Sequence, residues 1–232
     1  MLVFKESRGK LPINRERQIR KKVGLFGGTF NPIHIGHLRG AEEVREAFQL
    51  STIIFIPSAI PPHKNASGII DANHRLEMVK RAISKNPYFI TNDIELRRSG
   101  KSYTIDTLKF FKENSNDILY FILGSDAFVE IETWKDFKNL FSLSNFIVMT
   151  RPGMEKEDLL PPASLRDMFI YDQKLRAWKH QSGNMLYFQE ITFLDISSTK
   201  IRELLEKGRS VKYLIPAEVE EYLKGYSLYK IE

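Results

Sequence analysis

Val23-Gly24-Leu25-Phe26-Gly27-Gly28-Thr29-Phe30-Asn31-Pro32-Ile33-His34-Ile35-Gly36-His37 joins a short apolar run, two glycines, a proline and two histidines three residues apart. Val23 to Phe26 read as a buried strand. Gly27 and Gly28 remove side chains where that strand must turn, so backbone N–H groups can approach an anion closely. A helix that follows offers its unpaired N-terminal N–H groups and positive dipole end to the same space. The stretch therefore predicts a phosphate site at the carboxyl end of a strand.

It is neither a Walker loop, since no Gly-Lys-Ser/Thr follows, nor a G-x-G-x-x-G dinucleotide fingerprint. The spacing of His34 and His37 puts both rings on one face at a helix start, and Gly36 leaves their approach open. A single histidine here is more often a cap or a packing residue. The pair beside the glycines favours donation to phosphate oxygens as charge builds on them. A zinc reading lacks further ligands in the sequence.

Working outward, Leu38, Ala41, Val44, Ala47 and Phe48 fall at helical spacing between Ile35 and Phe48. Thr52 to Pro57 is a continuous apolar run with the length of a buried parallel strand. Helices are expected at about Asp71 to Ser84 and Thr104 to Glu113, with strands at Ile118 to Leu123, Asn145 to Met149 and Ile191 to Phe193. Helices at Ser198 to Lys207 and Pro216 to Lys224 complete the pattern, the proline in the first turn. The alternation implies an α/β fold with an open, Rossmann-like parallel sheet, helices on both faces and a helical C-terminal part over 196–232. Residues 152–184, charged and holding Pro152, Pro161 and Pro162, interrupt the alternation and read as a surface insertion or, less simply, a covering segment.

The chain has 232 residues, of which 42% are hydrophobic, enough for a substantial core. It has no cysteine, which excludes disulfides, thiolate metal sites and thiol nucleophiles and suits a reducing cytoplasm. No run approaches a membrane span and no apolar leader opens the sequence. Residues 1–22 carry eight basic and two acidic side chains, which accounts for the whole net charge of +6. Residues 1–20 thus read as a basic, solvated arm open to disorder, and 21–232 as one nearly neutral domain. That distribution weighs against a nucleic-acid partner; a homo-oligomer is compatible.

Ile196-Ser197-Ser198-Thr199-Lys200-Ile201-Arg202 precedes an amphipathic helix, and Ser197 or Ser198 is a natural N-cap. Alone it would be read as a cap. Paired with the glycine-histidine stretch, it makes the chain resemble the HxGH nucleotidyltransferase superfamily, which joins G-x-F/S-x-P-x-x-x-G-H to I-S-S-T-x-I-R. The resemblance implies ATP as donor, with Gly27, Gly28, Thr29, Phe30, His34, His37, Ser198, Thr199 and Arg202 at its site. Of these, His34, His37 and Arg202 would act in catalysis. It also implies Mg²⁺ arriving with ATP, bound through phosphate oxygens and water rather than a carboxylate cage.

Pro61-Pro62-His63-Lys64, Ser102 to Leu108, Gly124-Ser125-Asp126 with Thr133-Trp134, and Thr150-Arg151-Pro152-Gly153 look like the bacterial nicotinate-nucleotide branch, in order over residues 21 to 229. By that likeness Lys64, Tyr103, Thr104, Gly124, Asp126, Trp134 and Arg151 would hold the acceptor, nicotinate mononucleotide. Physical reasoning agrees: its pyridinium ring is a flat cation that Trp134 can stack on, and its carboxylate suits the N–H groups of a helix starting near Thr104. Trp134 and Tyr103 are equally open to a packing role, Lys64 to that of a solvated loop lysine, and Asp126 to a ribose contact or a structural one. An acceptor phosphate is largely ionised at neutral pH, so no general base is required. Another adenylyltransferase, acting on the amide nucleotide or on phosphopantetheine, is the enzymatic alternative. A nucleotide-sensing or nucleic-acid-binding module using the arm is the non-enzymatic one.

Overall fold

The computed structural model describes residues 20–62, 68–154 and 159–229. Nearly all of the basic arm and Lys64 lie outside the described residues. Strand β1 (Lys22–Gly28) leads through helix α1 (Ile35–Phe48) to β2 (Thr52–Pro57), α2 (Ala72–Ile83) and the three-residue β3 (Phe89–Thr91). A single-turn α3 (Ile94–Arg97) and α4 (Thr104–Asn114) lead to β4 (Ile118–Gly124), α5 (Ser125–Val129), α6 (Phe137–Leu143) and β5 (Asn145–Thr150). Then come β6 (Phe169–Asp172), β7 (Ala177–His180), β8 (Met185–Glu190), α7 (Ser198–Glu206) and α8 (Ala217–Gly225).

These strands form one eight-stranded sheet in the order β3-β2-β1-β4-β5-β8-β7-β6. Every pair from β3 to β8 is parallel, while β7 and β6 add an antiparallel hairpin at one edge. Both faces are covered, which is why the inner strands read as unbroken apolar runs. On one side Phe26, Phe55, Ala41, Val44, Met78 and Val219 pack together under α1, α2 and α8. On the other, Val23, Leu25, Leu108, Leu140 and Phe146 pack under α4 and α6. Phe55 is fully buried, its ring centroid within 5.8 Å of those of Phe26, Phe30 and Phe89. Gly24 matters because a Cβ there would stand 2.8 Å from Ile122 Cδ1 and 2.9 Å from Leu50 Cδ1.

Two expectations need correction. Residues 152–184 do not simply interrupt the sheet, because they supply β6 and β7 and so extend it. The strand expected at Ile191 to Phe193 is instead Met185–Glu190, in register with β5 from Phe146↔Leu186 to Thr150↔Glu190. Pairing with a distant strand decides that position, and local hydrophobicity does not. Residues 191–196 are irregular and line the cleft described next.

Candidate active site

Sheet order reverses at β1, with β2 on one side and β4 on the other, and the crevice outside the carboxyl ends of such strands is where ligands bind. A cleft of about 830 Å³ opens there. That volume is sufficient for a dinucleotide.

Gly27 and Gly28 are the last residues of β1, so the chain turns only afterwards, and the left-handed backbone falls on Phe30 at φ 49°. A Cβ on Gly28 would stand 2.9 Å from the Phe30 ring, whereas one on Gly27 would meet only an ordinary contact with Phe121 at 3.4 Å. Gly28 thus makes room for Phe30. That residue is 2% exposed and meets the His37 imidazole edge-on at 5.2 Å, so Phe30 backs the histidine while still lining the cleft.

His34 is the N-cap of α1 and His37 lies in its first turn. The two rings stack, and His37 Nδ1 accepts the His34 backbone N–H at 3.2 Å. Acceptance at Nδ1 puts the proton of neutral His37 on Nε2, making that nitrogen a donor. His34 is buried, its Nδ1 has no hydrogen-bond partner among the described residues, and burial lowers its pKa to about 4. It is therefore neutral at pH 7. A Cβ on Gly36 would lie 3.1 Å from His34 Nδ1, so any side chain there would press on that imidazole.

The late motif comes to the same place. Ser197 is the N-cap of α7, its hydroxyl accepting from Lys200 N–H. Ser198 Oγ donates to the Pro32 carbonyl at 2.8 Å. Arg202 donates to the Asn31 carbonyl at 2.9 Å and to Thr199 Oγ1 at 3.3 Å. His34, His37, Ser198, Thr199 and Arg202 all line the one cleft, together with Gly27, Gly28, Thr29 and Phe30.

The same cleft is lined by the residues expected at the acceptor, Lys64 lying outside the described residues. Tyr103 is the N-cap of α4 and Thr104 its first residue. Trp134 packs edge-on to Phe121 while lining the cleft, so it serves core and site together. Gly124 ends β4, and a Cβ there would meet nothing within 4 Å. Asp126 and Arg151 are paired with each other at 2.9 Å, and the Arg151 guanidinium lies 4.6 Å from the centre of the Phe193 ring.

Three residues were missed by sequence reasoning. Asn31 is buried and joins several loops. Arg75, fully buried, donates to the carbonyls of Thr29 at 2.7 Å, Ala59 at 3.0 Å and Ile70 at 3.1 Å, tying three cleft-edge segments together. It lies one turn before Val79 on the apolar stripe of α2, a position where a charge signals a buried partner set. Glu95, buried beside the cleft, accepts from the Thr107 hydroxyl at 2.7 Å, and burial pushes its carboxyl above the usual range. No local pattern marks it.

A parallel sheet with paired imidazoles and an arginine-bearing helix start at its switch point defines a nucleotidyltransferase. The cytidylyltransferase-like family model matches residues 25–204. A relative from Syntrophotalea carbinolica, described as "probable nicotinate-nucleotide adenylyltransferase", is 48% identical over 90% of this chain and 97% of its own. One from Geobacter sulfurreducens with the same description is 43% identical over 90% and 98%. The solved Plasmodium falciparum nicotinic acid mononucleotide adenylyltransferase complexed with NaAD has a TM-score of 0.70 at 23% identity, covering 90% of this chain and 98% of that one. The chain belongs to the cytidylyltransferase-like family and, within it, to the nicotinate-nucleotide adenylyltransferases.

Proposed function

We propose that the protein transfers the adenylyl group of ATP to nicotinate mononucleotide, giving nicotinate adenine dinucleotide, a precursor in NAD biosynthesis, and pyrophosphate. The observation that carries this reading is the direct tie between the two motifs: Ser198 to Pro32 and Arg202 to Asn31 close the late helix start over the paired imidazoles. An oxygen of the acceptor 5′-phosphate attacks the α-phosphorus, the bond from that phosphorus to the bridging oxygen breaks, and pyrophosphate leaves with the electron pair.

His34, His37 and Arg202 are the proposed catalytic groups. The histidines offer imidazole N–H donors and Arg202 a fixed positive charge to oxygens that gain charge in the transition state. Ser198, Thr199, Thr29 and the backbone of Gly27 and Gly28 hold the remaining ATP oxygens. Tyr103, Thr104, Gly124, Asp126, Trp134 and Arg151 hold the acceptor, with the start of α4 taking its carboxylate. The Asp126–Arg151 pair would have to open or swing for both to touch substrate. The donors on the phosphate side are nitrogens and hydroxyls, which suit phosphate oxygens. Mg²⁺ is accordingly part of the substrate, as the ATP complex. We place this reaction in the cytoplasm, where a chain without cysteine is at home.

The test is to mix purified protein with ATP, Mg²⁺ and, separately, nicotinate mononucleotide, nicotinamide mononucleotide or phosphopantetheine, and to measure pyrophosphate and product. The acid nucleotide should be used best. Preference for either other acceptor would overturn the acceptor assignment, and no pyrophosphate with any of them would overturn adenylyl transfer.

A further inference from the structure

Asn31 lies beside the phosphate site, 4% exposed, with both polar atoms of its side chain engaged. Nδ2 donates to the Gly68 carbonyl at 2.8 Å, while Oδ1 accepts the Ile70 N–H at 3.3 Å and the Tyr229 hydroxyl at 2.6 Å. The backbone carbonyl of the same residue is the one that receives Arg202. Tyr229 is 198 positions away in sequence, beyond the end of α8. Its backbone sits at φ 61°, a left-handed conformation that a side-chain-bearing residue ordinarily avoids. Strain of that kind persists only where the surroundings hold it.

We infer that Tyr229 is a positioning residue for adenylyl transfer: its hydroxyl, acting through the Asn31 carboxamide, holds the Asn31 carbonyl in place and so fixes where Arg202 presents its guanidinium. Gly68 and Ile70 tie the carboxamide to a single neighbouring loop. Tyr229 is the tie that comes from the other end of the chain, behind the site. The positive charges acting on the phenol are Arg202 and Arg75, the same two that grip the turn at Asn31 and Thr29. Burial nonetheless raises the phenol's pKa, so it remains a donor throughout the working pH range. The Gly68 carbonyl, which can only accept, and the Ile70 N–H, which can only donate, set the amide orientation and leave the phenol to donate to Oδ1.

This inference rests on the adenylyl-transfer reading, and the experiment separates the two. Wild type, Tyr229→Phe, Asn31→Ala and the double variant are compared with ATP and nicotinate mononucleotide, alongside thermal unfolding. Tyr229→Phe keeps the ring and removes only the hydroxyl. It should hold Tm within about 3 °C, lower kcat/KM for ATP about tenfold, and leave KM for the acceptor within about twofold. In the Asn31→Ala background the same change should have no further effect, the signature of action through Asn31. A residue that merely anchors the chain end would lower Tm and leave kcat and KM for ATP alone; that result overturns the proposal. So do additive effects in the cycle, and so does a Tyr229→Phe protein that fails to fold. Should wild type itself show no turnover, the functional reading falls, and hydrogen exchange still decides the inference. The amides of Gly28 to Asn31 should exchange faster in Tyr229→Phe with β4 unchanged. Uniform acceleration, or none, overturns it.

Discussion

The imidazoles of His34 and His37 lie in stacked contact, 3.6 Å between ring centroids and 29° between planes. Two cationic imidazoles would repel at this separation, and burial already holds His34 neutral. The pair is therefore a donor surface whose members contribute by geometry. His37→Ala should lower kcat about 100-fold or more, the usual loss for one transition-state donor, with KM for the acceptor little changed. Near-normal steady-state turnover would remove His37 from the mechanism.

The buried imidazole also makes stability depend on pH. His34 has a folded pKa of about 4 against an ordinary 6.5, so between those values the unfolded chain binds a proton that the folded chain does not. Stability should thus be intact above pH 6.5 and fall as the pH drops toward 4, by about 2–3 kcal/mol from this group. His180, whose pKa burial also lowers, adds a change of the same sign. Urea unfolding at pH 7.5 and 4.5 should show a smaller acid loss in His34→Gln than in wild type; equal losses would refute the assignment.

At Gly36 activity and stability should part. A Cβ would press on His34 Nδ1 at 3.1 Å, yet alanine suits a helix better than glycine. Gly36→Ala should therefore keep or raise Tm while kcat/KM for ATP falls about tenfold. Calorimetry and steady-state kinetics on the same preparation check both halves.

Arg75 predicts the opposite pattern. Its guanidinium satisfies three carbonyls at once, and lysine cannot span them. Arg75→Lys should cost roughly 2 kcal/mol, about 4–8 °C in Tm, through carbonyls left unpaired. A thermal shift under about 1 °C would show that the three bonds contribute little.

Much of this was legible in the sequence, for physical reasons that can be named. The strands at Thr52–Pro57 and Ile118–Gly124 are apolar throughout because both faces are buried, and α1 shows its stripe because one face is not. Both nucleotide motifs were readable because glycines, histidines and a Ser-Ser-Thr helix start have few other uses together. The β6–β7 hairpin was hidden under charges and prolines, since an edge strand needs little hydrophobicity. The strand Met185–Glu190 ends in Gln189 and Glu190, which drew the expectation onto the more apolar residues after it. Phe30 lines the cleft as expected, but that its ring fills the space above Gly28 shows only in three dimensions. Asn31 and Tyr229 could not be found locally at all, because their importance exists only where distant segments meet.

Those distant meetings have a bearing on how the protein is made. Pro32 waits for Ser198, Asn31 for Arg202 and then for Tyr229, separations of 166, 171 and 198 residues. On the ribosome, at about 5–20 residues per second, β1 and its glycines emerge on the order of ten seconds or more before their partners do. The half-made chain can pair β1 with β2 and β4 and carries the glycines and imidazoles, but it lacks the late helix start that closes over them. Competence to turn over ATP is thus one of the last properties the nascent chain acquires, and a product broken off before α7 would carry the sheet without the enzyme.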